Sequence, residues 1–125
     1  MNPRGASRPQ RLSQILFSQG FGSRRHCAGL VAAGLVRVGG AEVDDPEAAF
    51  DTEGLVFEVE GRAWPFHDKA LVLLHKPAGY ECSQKPRHHP SVMSLLPAPL
   101  RERGVQPVGR LDEDTTGLLL LTDDG

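Results

Sequence analysis

An acidic, hydroxyl-rich turn near the end of the chain contains the residues best suited to chemistry. Residues 109–117 read GRLDEDTTG, and four consecutive leucines follow. An apolar run bounded by turn residues is typical of a strand buried on both faces. In an extended segment, residues two apart project to the same side, so we expect the Arg110 guanidinium to hold the Asp112 carboxylate in one orientation. This arrangement would prepare a single carboxylate for catalysis.

Two other interpretations of this turn need no catalysis. It can be a solvated loop in which Asp and Thr side chains hydrogen-bond their own backbone. It also places oxygen-bearing residues at the early ligand positions of an EF-hand calcium loop, with Asp123 near the final one. A calcium loop has a helix on each side, whereas Pro107 and Gly109 precede this turn and leucines follow it. The context therefore argues against calcium.

No other metal or cofactor site is predicted. His88 and His89 are adjacent, and in an extended segment they would point to opposite faces. With Cys82 or His67 they match no usual zinc spacing. The chain also lacks the glycine-rich loops that bind nucleotide phosphates. The two cysteines, Cys27 and Cys82, are expected to be buried, reduced thiols.

Residues 109–125, GRLDEDTTGLLLLTDDG, strongly resemble the signature of RNA pseudouridine synthases of the RsuA class. That signature is GRLD, two variable residues, T, one variable residue and GLLLLT. Residues 75–80 (HKPAGY) look like the KPxG segment of the family, and residues 89–97 resemble the stretch that follows it. The family's catalytic aspartate corresponds to Asp112, and the adjoining arginine to Arg110.

The resemblance implies an isomerisation of a specific uridine in ribosomal RNA that uses no cofactor. Within the family, the ending TTGLLLLTDDG and the HPSV stretch favour the enzymes of small-subunit (16S) rRNA. We also expect Lys76, in the KPxG segment, to contact RNA. The family's catalytic core extends well beyond the aspartate motif, so we expect the 125-residue chain to be an inactive fragment.

The net charge of −2 conceals a separation of charge along the chain. Residues 1–40 contain six arginines and no acid, whereas residues 41–60 contain eight acids and no base. A basic block is where a polyanion would dock. The same N-terminal block shows a helix at 11–19, a second helix that Ser23 caps, and a hairpin that turns at Gly39-Gly40.

This helix–helix–hairpin order resembles an S4 RNA-binding domain, although the family usually has Asn-Gly where Gly39-Gly40 stands. Arg24 and Arg25 lie in the first turn of the second helix, where the helix dipole disfavours cations. A phosphate would use both arginines together with the free N–H groups of that turn. The predicted RNA-binding arginines are Arg11, Arg24, Arg25 and Arg37.

The sequence therefore predicts an α+β protein in four parts. These are a flexible basic arm at 1–10, an S4-like RNA-binding module at 11–60, a linker at 61–69, and the opening strands of a truncated, mixed or antiparallel synthase sheet at 70–125. The expected partner is ribosomal RNA or a pre-ribosomal particle in the cytoplasm. No stretch is apolar enough to span a membrane.

Two functions of other classes stay open from the residues alone. One is a non-catalytic S4-type RNA-binding protein, for which residues 1–60 would be sufficient. The other is a C-terminal half that merely dimerises the chain through its leucine strand. Asp112 with Arg110 distinguishes the enzyme from both, because a binding module has no need of that pair.

Overall fold

The computed structural model describes residues 9–83 and 86–124. The chain divides into two compact units, with the boundary between Asp68 and Lys69. The helices are α1 (Leu12–Ser18), α2 (Arg24–Ala32) and α3 (Ala98–Glu102), with a 3-10 helix at Val92–Leu95. The strands are β1 (Pro9–Arg11), β2 (Val36–Val38), β3 (Ala41–Glu42), β4 (Ala49–Asp51), β5 (Val56–Val59), β6 (Arg62–Pro65), β7 (Leu71–Lys76), β8 (Gln106–Val108) and β9 (Gly117–Thr122). Helices and antiparallel sheets thus confirm the α+β class.

The helices and hairpin of the first unit form where the sequence predicts them. The Ser23 hydroxyl accepts the backbone N–H of His26 at 3.1 Å and caps α2. Gly34 ends this helical segment at a φ of 77°, in the left-handed region. Gly39 and Gly40, with φ of 60° and 78°, make the turn between β2 and β3.

The sheet of the first unit covers a single apolar core. Its strand order is β3-β2-β5-β6, with every pair antiparallel. Helices and sheet bury one cluster between them: Leu12, Ile15, Leu16, Cys27, Leu30, Val31, Val36, Phe57 and Val59. Burial raises the pKa of the Cys27 thiol, as expected for a structural cysteine.

Two strands occupy parts of the segments predicted as the arm and the linker. Pro9 and Gln10 belong to β1, which pairs with β4, while residues 1–8 lie outside the described residues. Four residues of the predicted linker form β6, which pairs with β5 and places Trp64 opposite Phe57. The Trp64 ring also meets Phe21 edge to face at 5.3 Å, so it packs on the core of the first unit.

The second unit is built on a three-stranded antiparallel sheet of order β7-β9-β8. Ala70, Val92, Met93, Val105 and Leu121 belong to the core on one side of it. The hydroxyl of Ser91 caps the 3-10 helix by accepting the N–H of Met93. Helix α3 was not anticipated.

The leucine strand β9 is buried on one face only, which corrects the prediction of burial on both. Leu119 and Leu121 are buried, whereas Leu118 is 67% exposed and Leu120 is 38% exposed. Side chains alternate along a strand, and the core lies on one side of this sheet. The opposite face carries further exposed leucines from β7, Leu71 and Leu73.

Among the described residues, no helix combines the length and the apolar character needed to cross a bilayer.

Candidate functional site

The segment that carries Asp112 is an irregular turn between β8 and β9. Leu111 is half-buried against the core of the second unit, whereas its neighbours Arg110 and Asp112 are exposed. The backbone N–H of Thr115 donates to the carbonyl oxygen of Asp112 at 3.0 Å and closes the turn. The turn therefore exposes the Asp112 carboxylate next to a residue that is anchored in the core.

A second anchor comes from Cys82, which is buried as predicted. Its Sγ accepts the backbone N–H of Leu111 at 3.4 Å. Cys82 and Ser83 also line a shallow cleft of about 250 Å³ together with Gly109 and Arg110. The start of the loop after Cys82 is thus a neighbour of the Asp112 segment.

Lys76, the last residue of β7, holds the Asp112 turn from inside. Its side chain is fully buried, and Nζ donates to the carbonyl oxygens of Thr115 at 2.7 Å, Pro77 at 3.1 Å and Glu113 at 3.2 Å. The Glu113 carbonyl also accepts the backbone N–H of Gly79 at 2.6 Å. The Lys-Pro-Ala-Gly turn and the turn that begins at Asp112 are therefore joined through one ammonium group.

The environment of Lys76 argues against the prediction that this residue contacts RNA. An ammonium has three N–H donors, and three carbonyl groups use them. The side chain is also fully buried, so a phosphate cannot reach it. At the end of β7 the side chain of Lys76 lies on the buried face of the strand. A lysine is tolerated there because backbone oxygens solvate its charge.

The structure does not join Arg110 to Asp112. Both side chains are exposed, and in the described chain no hydrogen bond or ion pair connects them. Gly109 has a φ of 85° and bends the backbone just before Arg110, and residues 110–112 belong to no strand. An orienting role of Arg110 stays a prediction.

Glu81 organises the loop that leaves the same cleft. Its carboxylate accepts three successive backbone N–H groups, from His88 and His89 at 2.9 Å each and from Arg87 at 3.2 Å. These bonds lower the pKa of Glu81 to about 2, with those of His88 and His89 having the largest effects. Nδ1 of His89 also lies 3.5 Å from the carboxylate.

Asp123, just after β9, links the segments that lead into β7 and β8 at one end of the sheet. Its carboxylate accepts the backbone N–H of Ala70 at 2.8 Å and Nε of Arg103 at 2.7 Å. Burial alone would raise the pKa of Asp123, but the bonds from Arg103 and Ala70 outweigh it and hold the pKa below its usual value. Asp123 is thus occupied in holding the sheet, and the calcium interpretation would need it as a ligand.

The part of the chain that the structure describes contains no group of three His, Cys, Asp or Glu side chains arranged to hold a metal ion.

Two of the predicted RNA-binding arginines come together in the first unit. Arg11 and Arg24 line one cavity of about 250 Å³ with Ser13 and Gln14. Arg24 also stacks on the ring of Phe17, with 4.8 Å from its guanidinium carbon to the ring centroid. The cavity is therefore polar and carries two guanidinium groups.

The other two arginines are placed differently. Arg25 is exposed in the first turn of α2 and is not among the residues that line this cavity. Arg37 donates to the carbonyl oxygen of Gly40 in its own hairpin and lies between Glu42 and Glu58 on the neighbouring strands. Since acidic residues flank it, Arg37 is poorly placed to attract a phosphate.

Sequence analysis did not single out Glu81 or Arg103. Glu81 is the only acidic residue between positions 69 and 101, and a basic stretch follows it, which is the one available signal. Nothing in the sequence indicates that Arg103 pairs with Asp123, twenty residues away.

Two family models match the chain. Residues 70–125 match the model described as RNA pseudouridylate synthase, and residues 10–53 match the model described as S4 domain.

Relatives that align with nearly the whole chain are named as pseudouridine synthases. An uncharacterized RNA pseudouridine synthase of Bacillus subtilis is 31% identical over 92% of this chain and 48% of its own length. A ribosomal small subunit pseudouridine synthase A of Vibrio parahaemolyticus is 36% identical with the same coverage. A putative chloroplastic ribosomal large subunit pseudouridine synthase of Arabidopsis thaliana is 36% identical over 94% of this chain and 32% of its own length.

A crystal structure of a pseudouridylate synthase, 28% identical, covers 92% of this chain and 49% of its own chain with a TM-score of 0.42. The chain spans about half the length of relatives such as those from Bacillus and Vibrio.

Proposed function

We propose, because the chain belongs to the RsuA-type family of RNA pseudouridine synthases, that it isomerises a uridine in ribosomal RNA with Asp112 as the catalytic carboxylate. One observation carries the proposal. Asp112 is exposed on a turn whose carbonyl groups are bonded to the buried ammonium of Lys76. A catalytic group needs such a rigid support, because small displacements of a reacting atom are costly.

The reaction is balanced without a co-reactant. The bond between C1′ and N1 of the uridine breaks, the base turns, and a bond forms between C1′ and C5, whose proton moves to N1. The target nucleotide must leave the base stack so that a carboxylate can reach its sugar. An exposed Asp112 suits either of two steps, attack on C1′ or removal of the 2′ proton.

The first unit supplies affinity in this proposal. Arg11 and Arg24 bind a phosphate in their shared cavity, and Arg25 adds charge at the start of α2. These contacts are independent of base identity, so they position the RNA without choosing the uridine.

The substrate is proposed to be small-subunit (16S) rRNA, modified in the cytoplasm. The C-terminal signature favours it, while the relatives include proteins named for each ribosomal subunit. Both of these relatives are named as ribosomal pseudouridine synthases.

Mapping of pseudouridines in cellular rRNA tests the proposal. Deletion of the gene should remove one pseudouridine from 16S rRNA, and the wild-type gene should restore it. The gene carrying Asp112→Asn should fail, because the variant keeps the side-chain shape and loses the negative charge. Asp114→Asn is the matched control, since Asp114 is exposed in the same turn, and it should restore the modification.

The outcomes separate the alternatives. Restoration by Asp112→Asn would refute the catalytic assignment. A missing pseudouridine in large-subunit rRNA would refute the choice of subunit alone. An unchanged rRNA with retained RNA binding would favour the non-catalytic S4-type RNA-binding protein.

A further inference from the structure

We propose that Arg87 and His88 form a second RNA-binding site, in the catalytic unit, which takes a backbone phosphate close to the target uridine. We call residues Arg87–His89 the basic loop. The inference rests on the proposed function, because it assumes that the RNA substrate lies at Asp112.

The first observation is that the backbone of the basic loop is already committed. Three consecutive N–H groups converge on one carboxylate, that of Glu81. Such convergent N–H groups form an anion-binding concavity. Here the anion belongs to the protein itself, so the backbone holds Glu81 while the three side chains stay exposed.

The ends of the loop are fixed as well. The N–H of Glu81 donates to the carbonyl of Pro90 at 2.9 Å, and the N–H of Val92 donates to the carbonyl of Glu81 at 2.8 Å. The hydroxyl of Ser91 donates to the carbonyl of Ser83. The exposed side chains of Arg87 and His88 therefore extend from an ordered backbone, which reduces the entropy lost when they bind a ligand.

Charge is the second observation. Glu81 is the only acid between positions 69 and 101. Its oxygens already accept the loop N–H groups, and among the described residues its side-chain partner is His89. Within the described residues, no ion pair uses the side chains of Arg87 and His88. An exposed guanidinium and imidazole with no acidic partner suit a phosphate, which accepts from both.

Location is the third observation. Cys82, one residue after Glu81, accepts the N–H of Leu111, the neighbour of Asp112. Ser83 and Arg110 line the same cleft. The loop that carries the cations thus begins beside the Asp112 turn, so an RNA strand with its uridine at Asp112 would pass close to the loop. We assign the site to phosphates that flank the target nucleotide.

The test is RNA binding by the 125-residue chain, with a fluorescein-labelled 20-nucleotide oligouridylate as the probe. Arg87→Ala with His88→Ala should weaken binding about 3- to 10-fold at low salt and reduce the slope of log affinity against log salt by about 0.7 for each lost phosphate contact. Arg87→Lys should bind within about twofold of wild type, since a phosphate also accepts a point charge. Lys69→Ala, which removes a cation from another exposed position of this unit, should leave the slope unchanged.

A second measurement separates positioning from contact. Glu81→Gln should expose the amides of the basic loop to hydrogen exchange. It should weaken RNA binding less than the double variant does, because the side chains of Arg87 and His88 remain. The same probe with 4-thiouridine should cross-link to the peptide that contains Arg87 in wild type and not in the double variant.

An unchanged salt slope in a folded double variant, or the absence of that cross-link, would overturn the inference. Neither result touches the Asp112→Asn test. If rRNA mapping supports Asp112 while these measurements fail, the second site alone is wrong. If mapping fails and the cross-link is present, the basic loop binds RNA without catalysis beside it.

Discussion

The Nζ atom of Lys76 lies 2.7 Å from the carbonyl oxygen of Thr115, three positions after Asp112. The same ammonium reaches the carbonyl of Glu113 at 3.2 Å. Two oxygens of one turn thus share one buried cation at the end of β7. The conformation of the Asp112 turn therefore depends on a residue that cannot itself touch the substrate.

We expect Lys76→Met to loosen the Asp112 turn. The methionine retains most of the stem but removes three hydrogen bonds from a charged donor to carbonyl groups, each worth about 1.5–3 kcal/mol. Urea unfolding should show the lost stability, and rRNA mapping should show a lost pseudouridine, while RNA affinity stays within about twofold. The control is Lys69→Met, at an exposed position. A tenfold loss of RNA affinity with unchanged stability would indicate that Lys76 contacts RNA.

Replacement of Arg24 and Arg25 by Ala should weaken binding of ribosomal RNA. The slope of log affinity against log salt should fall by about one to two units, because each phosphate contact contributes about 0.9 or less. Arg37→Ala is the matched control, since Arg37 is bonded to Gly40 and flanked by acids. The control removes one charge and the double variant two, so a control effect of about half that of the double variant would mean that the arginines act only through net charge.

The basic loop should stay ordered far below the pH at which a free glutamate titrates. Its backbone bonds lower the pKa of Glu81 from 4.5 to about 2. A lowered pKa means that the stabilisation is present above the ordinary value and is lost as the pH falls through the folded value. NMR of the Arg87, His88 and His89 amides should therefore show a transition near pH 2. A midpoint near pH 4.5 would mean that the three hydrogen bonds do not form in solution.

Loss of the Asp123 carboxylate should destabilise the second unit. The Arg103 side chain is almost fully buried, so Asp123→Asn removes one charge of a buried ion pair, at a cost of about 3 kcal/mol or more. Asp124→Asn, one residue further along at an exposed position, should change stability by less than about 0.5 kcal/mol. A double-mutant cycle with Arg103→Met would measure the coupling, and a value near zero would contradict the ion pair.

The sequence predicted the elements whose causes are local. Helix α2 follows from the Ser23 cap and its apolar spacing, and the hairpin follows from Gly39-Gly40, which adopt positive φ readily. Long-range pairing was missed. Gln10 pairs with Phe50, and Trp64 packs on Phe21. No local sequence pattern at Gln10 or Trp64 indicates these distant partners.

The candidate site divides in the same way. The residue types drew attention to Asp112, but its catalytic role was assigned from the resemblance of its motif to a known signature, since an exposed aspartate in a turn is otherwise ordinary. The contacts of Lys76 were not predicted because its partners are backbone carbonyls, which every residue possesses and no sequence pattern identifies. Arg110 was expected to meet Asp112 on an extended strand, and the bend at Gly109 was not foreseen.

The four leucines of β9 have a consequence for strand register. A shift by one residue would place Leu118 and Leu120 in the positions of Leu119 and Leu121, with almost no change in the apolar area buried. The leucines therefore cannot specify their own alignment with β7. Polar contacts at the two ends of the strand specify the alignment. Before β9, Lys76 binds the carbonyl groups of Glu113 and Thr115. At the end of β9, Thr122 and Asp123 bind the backbone of Ala70. Hydrophobic burial makes this strand stable, and the hydrogen bonds at its ends make its alignment unique.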